Sequence, residues 1–265
     1  GLARPSTPPT PPLPERFEVL ETTVDHHYLN QPTDGANHPQ GRSWTKRVQR
    51  EWKQLRRGLP DSIWCQAFED RMDLLRAAIV GPADTPYADI LFLFDVYLPP
   101  NYPDVPPKVY FWSYGERLNP NLYENGKVCL SLLGTWSGSE NEMWNPETSN
   151  VLQVLVSVLG LVLVPEPYFN EPGYLAEKGT ELGDQRARRY NEGATLLSLR
   201  AALNMMRSPQ VGIGPILRYH YRTRGPVLAK RMRRLRDGDS DGDGDGDSDS
   251  DSDGDGDSDS DGDGD

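Results

Sequence analysis

Cysteine is scarce: 265 residues contain two, Cys65 and Cys129. A secreted disulfide framework needs more cysteines in a much shorter chain, so two isolated thiols fit a reducing setting, cytoplasmic or nuclear. Histidine is nearly as rare. His26, His27, His38 and His220, with two cysteines, give no zinc-ligand spacing, and no metal is expected. No Gly-rich phosphate loop follows a strand-like run, so the chain is not expected to bind ATP or another cofactor. No apolar run suits a membrane span, and no signal peptide is expected.

Charge is abundant but unevenly placed. Residues 237–265 contain only Asp, Gly and Ser, and their 15 Asp exceed the formal net charge of −12, so the rest of the chain is net positive. Such a tail buries too little apolar surface to offset its ordering entropy and reads as disordered. It lacks the apolar positions and bidentate Glu of calcium repeats. Residues 1–15 read as a proline-rich linker. Between them we expect an approach segment over 16–43, a catalytic domain over 44–207 and a basic extension over 208–236. The basic run Lys230-Arg-Met-Arg-Arg-Leu-Arg236 has three readings: a nuclear-localisation element, a nucleic-acid arm, or a segment screened by the tail. Nucleic acid ranks last because the adjacent polyanion competes.

Periodicity predicts the elements. Trp44, Val48, Trp52 and Leu55 share one side of a helix over 44–57, which Leu59-Pro60-Asp61 ends. Strands are predicted near 62–68, 72–80, 89–98 and 108–112, the last after five prolines in nine residues, Pro99 to Pro107. Val151, Leu152, Leu155, Val158, Leu159 and Val162 predict a buried helix over 147–163, starting near Thr148 or Ser149 and stopped by Pro165 and Pro167. Helices follow over 184–207 and, interrupted at Gly225-Pro226, over 213–236. The class is α+β: an N-terminal helix, a four-stranded antiparallel meander, an irregular cysteine-bearing loop, then C-terminal helices.

The irregular loop, Asn119-Pro-Asn-Leu-Tyr-Glu-Asn-Gly-Lys-Val-Cys-Leu-Ser-Leu-Leu133, sets Cys129 eight residues after Asn121. A thiolate is a strong nucleophile, and a nearby amide stabilises the charge that forms when its thioester is attacked. By itself, a cysteine is as well read as a buried core thiol. Four further runs share the order of this chain: Lys46-Arg-Val-Gln-Arg-Glu-Trp-Lys-Gln-Leu55, Gly81-Pro-Ala-Asp-Thr-Pro-Tyr87, Tyr102-Pro-Asp-Val-Pro-Pro-Lys-Val109 and Pro167-Tyr-Phe-Asn-Glu-Pro172. Together the five resemble the ubiquitin-conjugating enzymes over about residues 44–207. Leu59-Pro-Asp-Ser-Ile63, Leu130-Ser-Leu-Leu-Gly-Thr-Trp-Ser-Gly138 and Asp25-His-His-Tyr28 are similar to the large subgroup. That subgroup holds the plant phosphate-homeostasis enzyme and the animal hybrid conjugase-ligases.

The resemblance implies the ubiquitin-conjugating fold and a transferase. Ubiquitin would be held as a thioester on Cys129 and passed to lysines of protein substrates. It implies that Asn121 stabilises the oxyanion or the loop; the plainer reading is a turn residue beside Pro120. Glu171 falls where an acidic residue gates the site, although the family usually has Asp or Ser there, and a solvated loop carboxylate is the plainer reading. Asn170 is the weaker candidate. Asn119 stands where the family usually has His and is expected to be structural. Lys46, Arg47 and Arg50 match positions that engage the activating enzyme, which is the partner that uses ATP; an ordinary solvated helix face is the alternative. Asp104 replaces a usual apolar contact, and 137–143 looks like an insertion before Trp144-Asn-Pro146, so weak or no docking to RING ligases is expected. Cys65 reads as a core strand residue, with a second catalytic thiol as the alternative. A silent ubiquitin-binding module and an enzyme for another ubiquitin-like modifier remain the rival functions.

Overall fold

The computed structural model describes residues 11–32, 41–136 and 142–237. Most of the proline-rich linker, part of the approach segment, residues 137–141 of the expected insertion and the acidic tail beyond Asp237 lie outside them. The chain divides into two compact units, Gly1–Ala229 and Lys230–Asp265. The second is described only over the last residues of a helix.

Five strands form one sheet in the order β1-β2-β3-β4-β5: Phe17–Leu20, Ile63–Phe68, Leu74–Val80, Leu91–Tyr97 and Lys108–Phe111. The predicted four are the antiparallel meander β2 to β5. A further strand, β1, lies in the approach segment and pairs parallel to β2 with Phe17 opposite Cys65. Four residues carry too little alternation to declare a strand, and β1 owes its conformation to a partner far along the chain.

Helix α1, Gly41–Gly58, buries Trp44, Val48 and Leu55 as its periodicity predicts, and with them Glu51. A buried carboxylate needs partners inside. Glu51 accepts the Tyr102 hydroxyl at 2.7 Å, Arg47 Nε at 2.8 Å and the Val151 N–H at 2.9 Å. The last is the first N–H of α2, Val151–Ser157, where a negative charge complements the helix dipole. Asn150, one residue past the predicted start, caps α2 reciprocally with Gln153.

Helix α2 does not run on to 163. It passes into a π-turn over Val158–Val162, in which Leu163 N–H bonds the Val158 carbonyl. Helix α3, Glu181–Arg207, matches its predicted span, capped by Thr180. Helix α4, Gly214–Asp237, corrects the expected interruption: it is continuous through Gly225 and Pro226. Proline removes one helix hydrogen bond and not the whole ladder. Leu228, buried in the core just past it, keeps the following turn in place.

Every residue of β2 and β4 is buried, so the sheet is covered on both faces. One face, with Cys65, Ala77, Ile79, Phe92 and Phe94, packs into the main core with α1 and α2. On the other, Trp64, Ala78, Leu91 and Leu93 meet Ile213, Ile216 and Leu217, while Phe68, Leu74 and Tyr97 meet Tyr28 and Leu29. Between these apolar groups lies Arg76, bidentate to its cross-strand neighbour Asp95 at 2.7 and 3.0 Å. It also bonds Asp25 at 2.8 Å and the Val211 carbonyl at 3.2 Å. The described residues contain no helix long and apolar enough to cross a membrane.

His26 lies beside this cluster. Its Nε2–H donates to the Leu75 carbonyl at 2.9 Å and its Nδ1 accepts the Tyr28 N–H at 3.2 Å, so the neutral ring satisfies both neighbours. Burial lowers its pKa, against the opposing pull of Asp95, and burial likewise lowers that of His220. In the unfolded chain both titrate near ~6.5. Below that pH the unfolded state takes up protons that the native state refuses. Native stability is therefore full above about pH 6.5 and falls as pH drops toward the native values, by up to about 1.4 kcal/mol per pH unit per histidine. Urea midpoints at descending pH should show this, and His220→Gln should remove one proton from the slope.

Candidate active site

The run between Asn119 and Cys129 folds as a hairpin. Tyr123 accepts the Gly126 N–H through its carbonyl at 3.0 Å and donates its own N–H to Lys127 at 3.1 Å, and Leu122 pairs with Val128. Gly126 turns the chain at φ +84, and a Cβ there would stand 2.0 Å from the Tyr110 ring. At the base, the Cys129 N–H donates to the Asn121 carbonyl at 2.9 Å, and Asn121 Nδ2 returns a bond to the Cys129 carbonyl at 2.9 Å. Eight residues of separation thus become direct contact.

Asn119 fixes that base to the core. It is fully buried; its Oδ1 accepts the Asn121 N–H at 2.8 Å, and its Nδ2 donates to the Tyr87 hydroxyl and to the Val162 carbonyl, each at 2.8 Å. The Val162 carbonyl belongs to the π-turn. The preceding carbonyl, of Leu161, accepts Asn170 Nδ2 at 3.0 Å, which ties the 167–171 segment to the same turn. After the cysteine, Thr135 Oγ1 accepts the Leu130 N–H at 2.9 Å and donates to the Val128 carbonyl at 2.7 Å.

Cys129 lines a cleft of about 670 Å³ with Asn121, Ser131, Trp136, Leu161 and Asn170. Its own exposure is 2%, so its sulfur sits at the floor. Asn121 Oδ1 is buried with no hydrogen-bond partner among the described residues. Of the two N–H groups on Nδ2, one serves Cys129 and the other is a donor to spare. Cys65 differs sharply: wholly enclosed in β2, its thiol is pushed up to about 12 by burial and has no route to a nucleophilic role.

The predicted residues do not all meet at the sulfur. Glu171 is half-buried between the short helices Pro167–Asn170 and Pro172–Glu177 and does not line the cleft. Its charge is felt by Tyr123 and Tyr190. Asn170 lies closer to the cleft than its expected rank implied. On α1, Lys46 and Arg50 are exposed, whereas Arg47 turns inward to Glu51 and to the carbonyls of Pro146 and Ser149.

Tyr123 escaped the sequence reading. Its hydroxyl lies near the Cys129 thiol, and its pKa is raised by burial and by that thiol, against the pull of Arg117. The ring packs under Arg117 at 4.6 Å and Lys127 at 5.6 Å. A hairpin alternates its faces, so residues 121, 123, 127 and 129 share one side; recognising the turn at Gly126 would have found Tyr123. Among the described residues no acidic, histidine or cysteine cluster could hold a metal.

These features can be compared with known proteins. The model of the ubiquitin-conjugating enzyme family matches residues 47–196, over half of the chain, and the chain belongs to that family. It is 50% identical over 215 residues to the "Probable ubiquitin-conjugating enzyme E2 23" of Arabidopsis thaliana, covering 81% of this chain and 19% of that one. To the "Probable ubiquitin-conjugating enzyme E2 25" of the same plant it is 50% identical over 195 residues, covering 74% and 32%. To the human "Dual E2 ubiquitin-conjugating enzyme/E3 ubiquitin-protein ligase BIRC6" it is 43% identical over 206 residues, covering 75% and 4%. The chain therefore spans a third or less of each of these three relatives.

Replacing Asn119 by Ala would leave the Asn121 N–H and the Val162 carbonyl without their Asn119 partners, while the Tyr87 hydroxyl keeps its bond to the Leu118 carbonyl. Each buried group left unpaired costs about 1–3 kcal/mol. Chemical denaturation should show a loss of at least that size, with secondary structure retained at low denaturant.

Proposed function

We propose that this chain carries ubiquitin as a thioester on Cys129 and transfers it to lysine amines of protein substrates. The observation that supports this best is the reciprocal lock between Asn121 and Cys129 at the floor of the cleft. The Cys129 thiolate attacks the thioester carbonyl joining ubiquitin to its activating enzyme, and that enzyme's thiolate leaves. In the second step a lysine ε-amine attacks the Cys129 thioester. An isopeptide bond forms, the Cys129 sulfur leaves with the electron pair, and the amine gives up its proton. The free N–H of the Asn121 amide serves the oxyanion of each addition. A lysine amine titrates near ~10.4, so it must be deprotonated to react, and Glu171 is the carboxylate we assign to the gate. ATP is used by the activating enzyme.

Lys46 and Arg50 are the cations we assign to the activating enzyme's docking face; Arg47 supports that face from within. Similarity to a human protein named a dual conjugating enzyme and ligase favours the large subgroup and transfer without a separate ligase. Asp104 is exposed at the tip of the proline loop, and Trp144 is tied back to it through Nε1–H to the Pro103 carbonyl at 2.7 Å. A carboxylate in place of an apolar contact disfavours RING docking. The scarcity of cysteine and the basic run at 230–236 support a cytoplasmic or nuclear setting. A silent ubiquitin-binding module would have no need of a nucleophile at the cleft floor, and a panel of activating enzymes separates ubiquitin from related modifiers.

Incubation with ubiquitin, activating enzyme and ATP should give a thiol-sensitive adduct on non-reducing gels, absent or thiol-resistant in Cys129→Ser. No adduct with any modifier overturns the proposal. Asn121→Ala should slow discharge to free lysine by about 10²–10³, with a smaller effect on loading. Unrelated RING domains should leave discharge nearly unchanged; strong stimulation by several of them would refute the docking assignment.

A further inference from the structure

The outward face of α3 changes character along its length. Its first half presents Gln185, Arg186, Arg188, Arg189 and Glu192. Its second half presents Leu196, Leu199, Leu203 and Met206. Leu196 is 65% exposed, Leu203 48% and Met206 41%, with Leu199 half-buried between them and packed in part against the main core. The inward face is already packed, since Ala194, Ser198, Ala201, Ala202 and Met205 are all buried. The helix therefore carries a second apolar seam that the described residues of the chain leave open at Leu196, Leu203 and Met206, with Leu199 as its inner edge.

A lone exposed leucine needs no explanation. Four apolar residues recurring at three and four along about 15 Å of helix form the seam by which one helix packs on another. The ends of the seam are charged and unlike. Glu192 lies on the same line one step before Leu196, and Arg207 flanks Met206. Two copies side by side in parallel would set Glu192 against Glu192 and Arg207 against Arg207. Turned antiparallel about a two-fold axis at Ala201, Leu196 meets Met206, Leu199 meets Leu203, and Glu192 falls within about 4.5 Å, along the axis, of the other copy's Arg207 at both ends. Arg200, held beside the seam by Glu116 at 2.6 Å, borders the contact.

We propose that this face of α3 is the interface of a homodimer, two copies packed as an antiparallel helix pair. It takes a second copy because that sequence supplies both the matching seam and the opposite charge at each end. The seam with its charged flanks would bury on the order of 500 Å² per copy, about 1,000 Å² in total, the lower bound of specific interfaces. The dimer is therefore weak and forms with rising concentration. It does not depend on the chemistry assigned to Cys129.

Sedimentation velocity on the full chain, from low to several hundred micromolar, should show the mass rising from one chain toward two. Leu196→Asp and Leu203→Asp, at exposed positions, should keep it at one with unchanged circular dichroism and thermal midpoint. Glu192→Arg and Arg207→Glu should each weaken association by about tenfold. The double variant should restore it to within a factor of about three, as coupled charges require. A wild-type chain that stays single at all concentrations overturns the proposal. So does association that Leu203→Asp leaves intact, or a charge swap that restores nothing.

Discussion

The constraint on which the rest depends is a sheet whose central strands have no solvent-facing side. With β2 and β4 buried along their whole length, polar groups in them look inward for partners, which Trp64 Nε1 and Gln66 Oε1 do not find among the described residues. Arg76 and Asp95 answer this by pairing across adjacent strands, and Asp25 adds a second carboxylate from the segment before α1. A buried pair of this kind is costly to break but is weak evidence of net stability against an apolar substitute. What it does supply is register. Asp25 Oδ2 also accepts the Val211 N–H at 2.7 Å, so one carboxylate ties the residues before the first helix to those after the third. The flanking segments are thereby part of the sheet's cover.

The other face of the sheet supports the candidate site through a chain of polar contacts. Tyr87, in the turn after β3, accepts from Asn119 and donates to the Leu118 carbonyl at 3.1 Å. Asn119 holds the hairpin base and the π-turn together. That turn matters because a wider turn presents carbonyls that a regular helix would bond within itself. Asn119 and Asn170 take up two of them, and so the hairpin with Cys129 and the segment leading to Glu171 are referenced to the same backbone. With Asn119 bonded through both of its side-chain polar atoms, the network resists small displacements, which is what the proposed nucleophile and oxyanion donor require.

Much of this was legible in the sequence, and what was not has physical reasons. The spacing of Trp44, Val48 and Leu55 gave α1, and apolar stretches between prolines gave β2 to β5, because these signals are local. Strand β1 is four residues whose pairing is set by a distant strand. The π-turn depends on which carbonyls Asn119 and Asn170 can reach, and no periodicity encodes that. The break read at Pro226 weighed one lost hydrogen bond above the burial of Leu228. The positive charges of α1 were read as one face, yet Arg47 lies one step round the helix toward buried Glu51, where charge pattern alone could not place it. Tyr123 lies in a run whose composition reads as irregular loop, and only the turn at Gly126 makes it a hairpin residue facing Cys129.

The two cysteines show why fold position, more than residue type, sets chemistry. Both are buried by side-chain exposure, at 1% for Cys65 and 2% for Cys129. Cys65 is mid-strand in β2, with α1 and α2 over it, and moving any neighbour to admit a reactant would open the core. Cys129 ends a hairpin arm, where a 670 Å³ cleft begins and a 3₁₀ turn, Ser131–Leu133, leads the chain away. Around it stand Asn121 and Tyr123, both half-buried and on the cleft side, with Leu130 buried in the core behind. Access to Cys129 asks for side-chain displacement, whereas access to Cys65 asks for local unfolding. Those two costs differ by far more than the difference in exposure between them, and that is the physical ground on which Cys129, not Cys65, is proposed to carry the thioester.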